Sequence, residues 1–398
     1  MEVIVGGIST ACPCCGAAEL QPFFPLNRVL VHCCRLTDSQ AEARAYPRGE
    51  LELAHCSSCG VITNHRFQPE VMTYAQDYEE TQGFSPTFAR FARNLANGLI
   101  KRWDLKGKTA LEIGCGKGEF LTMLCELGMK EGIGFDPAYV PSRNENPAVD
   151  CCRFQAENYT SEHWGISADL ICCRHTLEHI GNAGEFLRML RHNIGDRMET
   201  VVFFEVPDVG RVLREGAFWD IYYEHCSYFT PGSLARLFRA SGFEISELWL
   251  DYDDQYVMLT ALPAPGPTAA VFHMEDDLKA IAKDVERFPG IVMGLMEYWR
   301  KQVRQAREAG RKVVIWGSGS KGVAFLEYLG VGDAIEFVVD INPHRQGKFM
   351  PGTGQEIVSP EFLKDYQPGL VIIMNPIYED EITADLERLG VDAEVMAV

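Results

Sequence analysis

Two glycine-rich loops constrain the fold of this 398-residue chain more than any other feature. Each loop follows a run of strand-forming residues and precedes a helical pattern, and an aspartate ends another strand 18 residues after its last glycine. Glycine is needed where the backbone passes directly under a ligand, because a Cβ atom there would collide with it. The arrangement predicts two nucleotide-binding, mainly parallel sheets in one chain.

The first loop is ALEIGCGKGEFL, in which Glu112 precedes Gly114, Gly116 and Gly118. The next strand, GIGFDP, places Asp136 at its end, where the carboxylate can hold two ribose hydroxyls. With an acidic residue before the glycines and another at the next strand end, this loop resembles the S-adenosylmethionine loop of class I methyltransferases.

The second loop is VVIWGSGSKG, with Gly317, Gly319 and Gly322 after a strand and Asp340 in IEFVVDINP. Taken alone, this pattern is the dinucleotide fingerprint and argues for NAD. Lys321 lies inside the turn, where it could meet a phosphate, and the chain already has a better cofactor loop. An NAD-dependent oxidoreductase that uses Gly317 to Gly322 is therefore the competing interpretation.

The net charge argues against nucleic acid and anionic membranes as partners. Thirty-seven basic against 56 acidic residues give a formal charge of −19, which repels polyanions over long range, although a local phosphate pocket stays compatible with it. No long uncharged apolar run occurs, and the start, MEVIVGGISTACPCC, lacks the basic and apolar regions of a signal peptide. We therefore expect a soluble cytoplasmic protein.

Two cysteine pairs, Cys12 with Cys15 and Cys56 with Cys59, have the spacing of zinc knuckles. The gap of 40 residues between the pairs exceeds that of ordinary zinc ribbons, but the cost of closing a loop grows only logarithmically with its length. The alternative is four buried thiols without a metal. Four cysteines would close the shell of a structural zinc, and Cys14, inside the first knuckle, is the residue most easily misassigned as a ligand.

Sequence texture divides the chain into three parts, predicted as domains 1–85, 86–265 and 272–398. The first has little periodicity, the second alternates strand and helix patterns, and the third resumes that alternation after a proline-rich linker, Leu262 to Val271. Two amphipathic patterns, EDDLKAIAKDVERF and IVMGLMEYWRKQVRQAREAG, predict two helices separated at Pro289 and Gly290.

The stretch DIYYEHCSYF places Tyr222, Glu224 and His225 among aromatic residues, and we call residues 222–225 the aromatic quartet. A structural interpretation is a strand or loop whose aromatic rings pack and whose histidine donates to a backbone carbonyl. The alternative is a catalytic group, because a histidine is mostly neutral and can accept a proton at cellular pH.

Several polar residues are further candidates for contact with the cofactor. Tyr78, Gln82 and Ser85 lie before the second domain and could close over the methionine end of the cofactor; the alternative is a surface turn in which Ser85 caps a helix. Five more come from the second domain, where open α/β sheets bind ligands at strand ends. Arg174 and His175 follow the strand residues ADLI, and Glu157 follows the third strand as an adenine contact. Glu178 and His179 are equally open to a supporting or a catalytic role.

The order of these motifs resembles that of the three-domain, zinc-binding sugar C-methyltransferases, which act on nucleotide-linked deoxyketosugars. The pieces that carry the resemblance are the two cysteine pairs, YEETQGFSPTF, EIGCGKG, RHTLEHI, IYYEHCSYF and GSGSKG followed by VVDINPHRQGKFMPG. It implies an α/β protein with an N-terminal zinc-binding domain, a central class I methyltransferase domain of Rossmann-like fold and a C-terminal Rossmann-like domain that helps to hold the substrate.

The resemblance also implies a reaction. His225 would remove the proton next to a ketone, Tyr222 and Glu224 would position the sugar, and the resulting enolate would take a methyl group from S-adenosylmethionine. Lys321, Gly317 and Gly319 would contact the substrate, a nucleotide sugar. We expect a monomer or a small homo-oligomer. The alternatives are methylation of another small natural product at carbon, oxygen or nitrogen, the NAD-dependent oxidoreductase, and a zinc-nucleated protein that only binds sugar nucleotides.

Overall fold

The computed structural model describes residues 11–18, 20–72 and 74–398, so residues 1–10 of the predicted first domain lie outside the described residues. The strands are β1 (Gln21–Leu30), β2 (Arg48–His55), β3 (Ile62–Asn64), β4 (Thr109–Ile113), β5 (Glu131–Phe135), β6 (Cys152–Gln155), β7 (Leu170–Arg174), β8 (Val201–Pro207), β9 (Ser227–Tyr228), β10 (Phe243–Asp251), β11 (Tyr256–Pro263), β12 (Val313–Trp316), β13 (Phe337–Val339), β14 (Glu356–Val358), β15 (Leu370–Ile373) and β16 (Glu394–Ala397). The helices are α1 (Gln40–Arg44), α2 (Pro86–Arg102), α3 (Glu119–Glu126), α4 (Ala183–Ile194), α5 (Val209–Glu215), α6 (Pro231–Ala240), α7 (Leu278–Glu308), α8 (Ser320–Leu329), α9 (Leu363–Tyr366) and α10 (Glu379–Leu389).

The first sheet is antiparallel, in the order β1-β2-β3-β9. Its last strand comes from a distant part of the chain, since Ile62 of β3 pairs with Tyr228 of β9. Strand β9 begins two residues after His225, so this pairing fixes the histidine beside the first sheet. The predicted domain ranges each hold one sheet, except that β9 crosses into the first.

The second sheet has seven strands in the order β10-β11-β8-β7-β4-β5-β6. Strands β4 to β8 are parallel, and β10 and β11 form an antiparallel hairpin at one edge. The chain turns in opposite directions on either side of β4, and open α/β sheets bind ligands at such a point, beyond the carboxyl ends of the strands. The predicted α/β fold with a mainly parallel central sheet is confirmed.

The third sheet is entirely parallel, in the order β14-β13-β12-β15-β16. Its first strand, β12, lies at the centre and is followed directly by the second glycine-rich loop, which repeats the arrangement around β4. Two sheets of the same design therefore present their ligand-binding edges within one molecule.

Helix α7 is continuous over Leu278–Glu308, so the prediction of two helices separated at Pro289 and Gly290 is wrong. Proline removes one backbone hydrogen bond and costs about 3 kcal/mol inside a helix. Phe288 and Val292 on either side of it are both fully buried in one core, and this packing on both sides outweighs the local cost. The predicted linker also starts too early, because β11 extends to Pro263.

The first and third sheets share a hydrophobic core with part of the second domain. Phe24 of β1 packs against Phe288 of α7, with ring centroids 5.0 Å apart. Phe218 and Trp219, from the segment before the aromatic quartet, both pack on Phe325 of α8. The three parts are thus joined by apolar packing. Within the described ranges, no helix combines the length and apolar character needed to cross a membrane.

Candidate active site

One cavity of about 1190 Å³ opens between the carboxyl ends of the second and third sheets. Both glycine-rich loops line it, together with Tyr222, Glu224 and His225 and most of the segment from Tyr78 to Ser85. Sites for one small molecule usually measure roughly 300–1,000 Å³. The cavity therefore has room for a cofactor and a second ligand.

The first glycine loop crosses the cavity wall in an unusual backbone conformation. Gly114 and Gly116 have φ of 71° and 54°, a region that favours glycine. The Gly116 N–H donates to Oδ2 of Asp136 at 2.9 Å, and the Ala138 N–H donates to Oδ1 at 2.7 Å. A Cβ atom on Gly116 would lie 2.5 Å from Oε1 of Glu80, so a side chain already reaches over the loop.

Two predicted cofactor residues do not line the cavity. Gly118 caps the N-terminus of α3 with φ of 79°, and a Cβ atom there would collide with the ring of Phe154. Glu157 points into solvent with 57% of its side chain exposed, while the next two residues, Asn158 and Tyr159, lie on the cavity wall. Gly118 is therefore required by packing, and the adenine contact predicted for Glu157 has no support in its position.

Glu112 lies buried at the cavity end of β4. Its Oε2 atom has no hydrogen-bond partner among the described residues. Burial raises the pKa of Glu112 to about 8, although the charge of Arg174 acts in the opposite direction. The unsatisfied carboxyl oxygen lies beside a glycine loop, where it could accept a hydrogen bond from a ligand. The predicted cofactor carries such hydrogen-bond donors.

Arg174 and His175 line the cavity but are both held by Glu205 of β8, which is fully buried. Arg174 Nε donates to Oε2 of Glu205 at 2.6 Å, and Nε2 of His175 lies 2.8 Å from Oε1. Burial opposes the charged form of both groups. Even so, Arg174 and His175 lower the pKa of Glu205 to about 2. Glu205 and Glu178 raise the pKa of His175 to about 9. His175 is therefore a cation at neutral pH.

Tyr222 and Lys321 meet on one carboxylate. The Tyr222 hydroxyl donates to Oδ1 of Asp220 at 3.0 Å, and Lys321 Nζ contacts both oxygens of Asp220 at 2.7 and 2.6 Å. Lys321 belongs to the second glycine loop, so this ion pair joins the aromatic quartet to the third sheet. If Lys321 contacts a phosphate as predicted, its ammonium group would have to bind the phosphate and Asp220 at the same time.

Glu224 lines the cavity and contacts two segments of the first part of the chain. Its carboxylate accepts a hydrogen bond from the backbone N–H of Cys33 at 2.5 Å and another from the hydroxyl of Tyr78 at 2.6 Å. The pKa of Tyr78 is raised well above its ordinary value by burial and by the charge of Glu224. Glu224 therefore fixes Tyr78 and the first sheet around the cavity.

His225 lies on the cavity wall against the rings of His179, Tyr222 and Tyr228. Its ring centroid is 4.8 Å from those of His179 and Tyr222, with edge-on geometry in both cases. Burial lowers the pKa of His225 well below the ordinary value, and electrostatic interactions with His179, His175 and Lys321 act in the same direction. The imidazole is therefore neutral at neutral pH.

Gln82 and Ser85 line the cavity where the second and third parts of the chain meet. Ser85 is the N-cap of α2, since its hydroxyl accepts from the Phe88 N–H at 3.2 Å, and it also donates to Glu381 of α10 at 2.9 Å. The Gln82 Oε1 atom accepts from the hydroxyl of Tyr378 at 3.3 Å. Helix capping by Ser85 is thus observed, in a residue that also reaches the cavity.

Packing within the second glycine loop explains why the loop keeps all three glycines of the dinucleotide fingerprint. Gly317 and Gly319 line the cavity, but a Cβ atom on Gly322 would collide with the carbonyl oxygen of Gly317. The carboxylate of Asp340 accepts from the backbone N–H of Ser318 at 2.9 Å and therefore braces the loop. The fingerprint alone thus does not require a dinucleotide.

The four predicted zinc ligands come together in the first part of the chain. The Sγ atoms of Cys12 and Cys59 are 3.6 Å apart, as are those of Cys15 and Cys56, and all four lie within 4.8 Å of one another. Tetrahedral zinc with bonds of ~2.3 Å would hold its sulfurs about 3.8 Å apart, so these thiols fit the ion. Cys14 lies outside the group.

Sequence patterns do not single out several residues that shape the cavity. Lys117 is buried and donates to the carbonyls of Tyr78 and Ala138 at 2.8 and 2.7 Å; its place inside GCGKG was the available signal. Gln255 and Asn375 join the second and third sheets through a reciprocal pair of amide hydrogen bonds at 3.1 and 2.9 Å. No local signal marks that pair, because the two residues belong to different sheets.

One further residue, Tyr74, lies beside the catalytic candidates. The hydroxyl of Tyr74 lies 2.8 Å from Nδ1 of His179, which orients that ring toward His225. Glu178, His179 and His225 also offer ligand atoms within 4.8 Å of one another. We assign no metal to this group.

Comparisons with known proteins match two separate parts of the chain. The family described as "Methyltransferase domain" matches residues 87–248, and the family described as "C-methyltransferase C-terminal domain" matches residues 269–393. The chain is 26% identical over 350 residues to the C-methyltransferase NovU of Streptomyces niveus, a match that covers 83% of this chain and 81% of NovU.

Two of the solved structures that are similar to part of this chain are methyltransferases. The magnesium protoporphyrin IX methyltransferase ChlM of Synechocystis PCC 6803, with bound S-adenosylhomocysteine, has a TM-score of 0.35 and 16% identity over 45% of this chain and 84% of its own. The dimethyltransferase RosA of Streptomyces davawensis has a TM-score of 0.37 and 17% identity over 44% of this chain and 56% of its own. The matched families and NovU identify the chain as an S-adenosylmethionine-dependent methyltransferase, and they support its assignment among C-methyltransferases.

Proposed function

We propose that the chain methylates the carbon next to the ketone of a nucleotide-linked sugar, through an enolate. The observation that carries this proposal is the neutral imidazole of His225, which lies in one cavity with both glycine-rich loops. The match to C-methyltransferases supports carbon as the acceptor atom.

His225 acts as the base. A neutral imidazole can accept the proton next to the ketone, and the electron pair of the broken C–H bond then moves onto the carbonyl oxygen. Lys321 and the cationic His175 are close enough to lower the pKa of His225, so they also favour the negative charge of the enolate. S-adenosylmethionine, when bound, supplies the electrophilic methyl group that the enolate carbon accepts.

Tyr222 and Glu224 are positioning residues in this proposal. The hydroxyl of Tyr222 contacts Asp220, which ties its orientation to Lys321 of the second glycine loop. Glu224 accepts hydrogen bonds from Cys33 and Tyr78, so it supports the shape of the site.

The methyl donor would be held around the first glycine loop. Gly114 and Gly116 leave space for the close approach of a ligand, Asp136 presents its carboxylate at the end of β5, and Glu112 has an unsatisfied carboxyl oxygen. Gln82 and Ser85 lie across the cavity from a different segment of the chain. Together they fit a cofactor rich in hydrogen-bond donors.

The second glycine loop would hold the nucleotide part of the substrate. Gly317 and Gly319 present backbone to the cavity, and Lys321 supplies the positive charge that a diphosphate needs. The cavity volume of about 1190 Å³ accommodates such a ligand beside the methyl donor. The four-cysteine group would bind one structural zinc outside this cavity, where it stabilises the first sheet.

Deuterium exchange tests the role of His225. The protein is incubated in D2O with S-adenosylhomocysteine, which cannot donate a methyl group, and with a set of nucleoside-diphosphate-linked keto sugars. The wild type should place deuterium on the carbon next to the ketone, as followed by mass spectrometry. His225→Ala should lose the exchange and lower turnover by roughly 10² to 10⁴, the usual contribution of general base catalysis.

Tyr222→Phe is the matched control, because it removes only a hydroxyl that orients the site. It should retain part of the exchange. Exchange at the wild-type rate in His225→Ala would show that the quartet is structural and would direct attention to Arg174 and His175.

A further inference from the structure

Glu80 is a cavity carboxylate with an unsatisfied oxygen atom. It lies on the cavity wall, and its Oε2 atom is buried with no hydrogen-bond partner in the part of the chain that the structure describes. Its neighbour Glu79, by contrast, accepts two hydrogen bonds from Arg143 at 2.7 and 2.8 Å. A buried carboxylate oxygen without a hydrogen bond costs free energy. A bound ligand that donates a hydrogen bond to Glu80 would remove this cost.

The carboxylate lies directly over the first glycine loop. Its Oε1 atom is 2.5 Å from the position that a Cβ atom on Gly116 would take. The ion-pair partner of Glu80 is Lys117, but Nζ stays 3.8 Å from Oε2 because it already donates to the carbonyls of Tyr78 and Ala138. Lys117 thus offers charge to Glu80 without offering a hydrogen bond.

The local charge balance favours a cation. Burial raises the pKa of Glu80 to about 7; the charge of Lys117 acts in the opposite direction, and that of Asp136 adds to the rise. Two carboxylates therefore share one buried ammonium group at this end of the cavity. A ligand that brings a positive charge with N–H donors would offset the repulsion and satisfy the orphaned oxygen.

We propose that Glu80 binds the α-ammonium group of the methionine part of S-adenosylmethionine. The sulfonium carries charge but no hydrogen to donate, and the ribose hydroxyls donate without bringing charge; the ammonium group does both. This inference rests on the cofactor and is independent of the proposed substrate.

Backbone contacts hold Glu80 ready for this role. The Glu79 N–H donates to the carbonyl oxygen of Cys34 at 2.9 Å, Lys117 holds the carbonyl of Tyr78, and Arg143 holds the Glu79 side chain. The carboxylate thus comes from a segment outside the second sheet. The cofactor site would therefore be incomplete in the isolated methyltransferase domain.

Calorimetry with two ligands tests the proposal. S-adenosylhomocysteine has the amino-acid part, whereas 5′-methylthioadenosine keeps the adenosine and the thioether but lacks that part. Glu80→Gln, which preserves shape and removes the charge, should weaken binding of S-adenosylhomocysteine by roughly 10- to 100-fold, as expected for a charge-assisted hydrogen bond. Binding of 5′-methylthioadenosine should change by less than about twofold, because it has no ammonium group to lose.

Glu131→Gln on β5 is the matched control, because Glu131 pairs with Arg153 on the surface and should leave both affinities unchanged. Glu80→Ala leaves space instead of a clash and should give the same ratio between the two ligands if the glutamine variant folds poorly. Unchanged binding of S-adenosylhomocysteine would overturn the proposal. Equal losses for both ligands would overturn it as well, since they would assign Glu80 to the ribose or to the support of Lys117.

Discussion

At the scale of single residues, burial and neighbouring charge decide which groups in the cavity are ionised. Glu205 and His175 stabilise each other as an ion pair, so the pKa of the carboxyl falls to about 2 and that of the imidazole rises to about 9. The pKa of His225, which burial lowers and the nearby charges of His175 and Lys321 lower further, shifts in the opposite direction to that of His175. Two histidines in one cavity thus differ in charge at pH 7.

This difference predicts the pH dependence of the reaction. A base must be deprotonated to act, and the pKa of His225 is well below its ordinary value of 6.5, so kcat with cofactor and substrate both saturating should be flat above pH 6.5 and should fall only in more acidic solution. A steady-state profile from pH 5 to 8, with the stability of the enzyme checked at each pH, measures the position of this acid limb.

Lys321→Gln supplies the comparison for that profile. Loss of the cation should raise the pKa of His225, so the acid limb should move toward higher pH, whatever happens to the absolute rate. An acid limb at or above pH 6.5 in the wild type would contradict the role of a neutral His225 as the base.

Residues with a backbone signature could be predicted from the sequence, whereas partners across the fold could not. Gly114, Gly116 and Asp136 follow from a loop and a strand end that any reader of the sequence can locate. The contact of Lys321 with Asp220 joins residues that are 101 positions apart, and spacing carries no information about such a pair. Glu80 was missed for the same reason, since its role depends on a loop 36 residues away.

At the scale of secondary structure, local preference and tertiary packing conflict in α7. The helix keeps Pro289 in its interior and buries Ile281, Val285, Phe288 and Val292 along one side. The proline signal predicted an end to the helix, which was wrong because a sequence does not reveal how much packing lies on each side of a break. The strands on either side of each glycine-rich loop, β4 with β5 and β12 with β13, lie where the sequence predicts them, because their patterns and their loops agree.

Replacement of that proline should therefore stabilise the protein. Pro289→Ala restores a backbone hydrogen bond inside α7, so the free energy of unfolding should rise by about 1–2 kcal/mol after allowance for the more flexible unfolded chain. Urea denaturation followed by circular dichroism gives this value. Gly290→Ala, where a Cβ atom meets nothing within 4 Å, should add about 0.5–1 kcal/mol by propensity alone. Destabilisation by Pro289→Ala would mean that the proline shapes a bend that the fold requires.

At the scale of the whole molecule, the three sheets are parts of one packed body. The core around Phe24, Phe288 and Phe325 joins the first and third sheets, and Glu224 and Asp220 extend these connections to the cavity. Damage to the first sheet should therefore reach the active site, although the four-cysteine group lies outside the cavity.

Metal analysis tests this connection. The wild type should contain one zinc per chain, and Cys56→Ser should lose it, together with several kcal/mol of stability, because four protein ligands close the shell. Cys14→Ser is the matched control within the same knuckle and should keep the metal. Zinc retained at full occupancy in Cys56→Ser would rule out the four-cysteine site, and a second zinc lost on mutation of His179 would conflict with a free His225.

The pairing of β9 with the first sheet has a consequence for biosynthesis. Thr63 donates to the carbonyl of Cys226, 163 residues further along the chain, so the sheet that begins near the N-terminus stays open while the nascent polypeptide is still on the ribosome. At ~5–20 residues per second, translation leaves the exposed edge of β3 unpaired for about 8–33 s. The same event that covers this edge sets His225 in place, so an incomplete nascent chain has no assembled base.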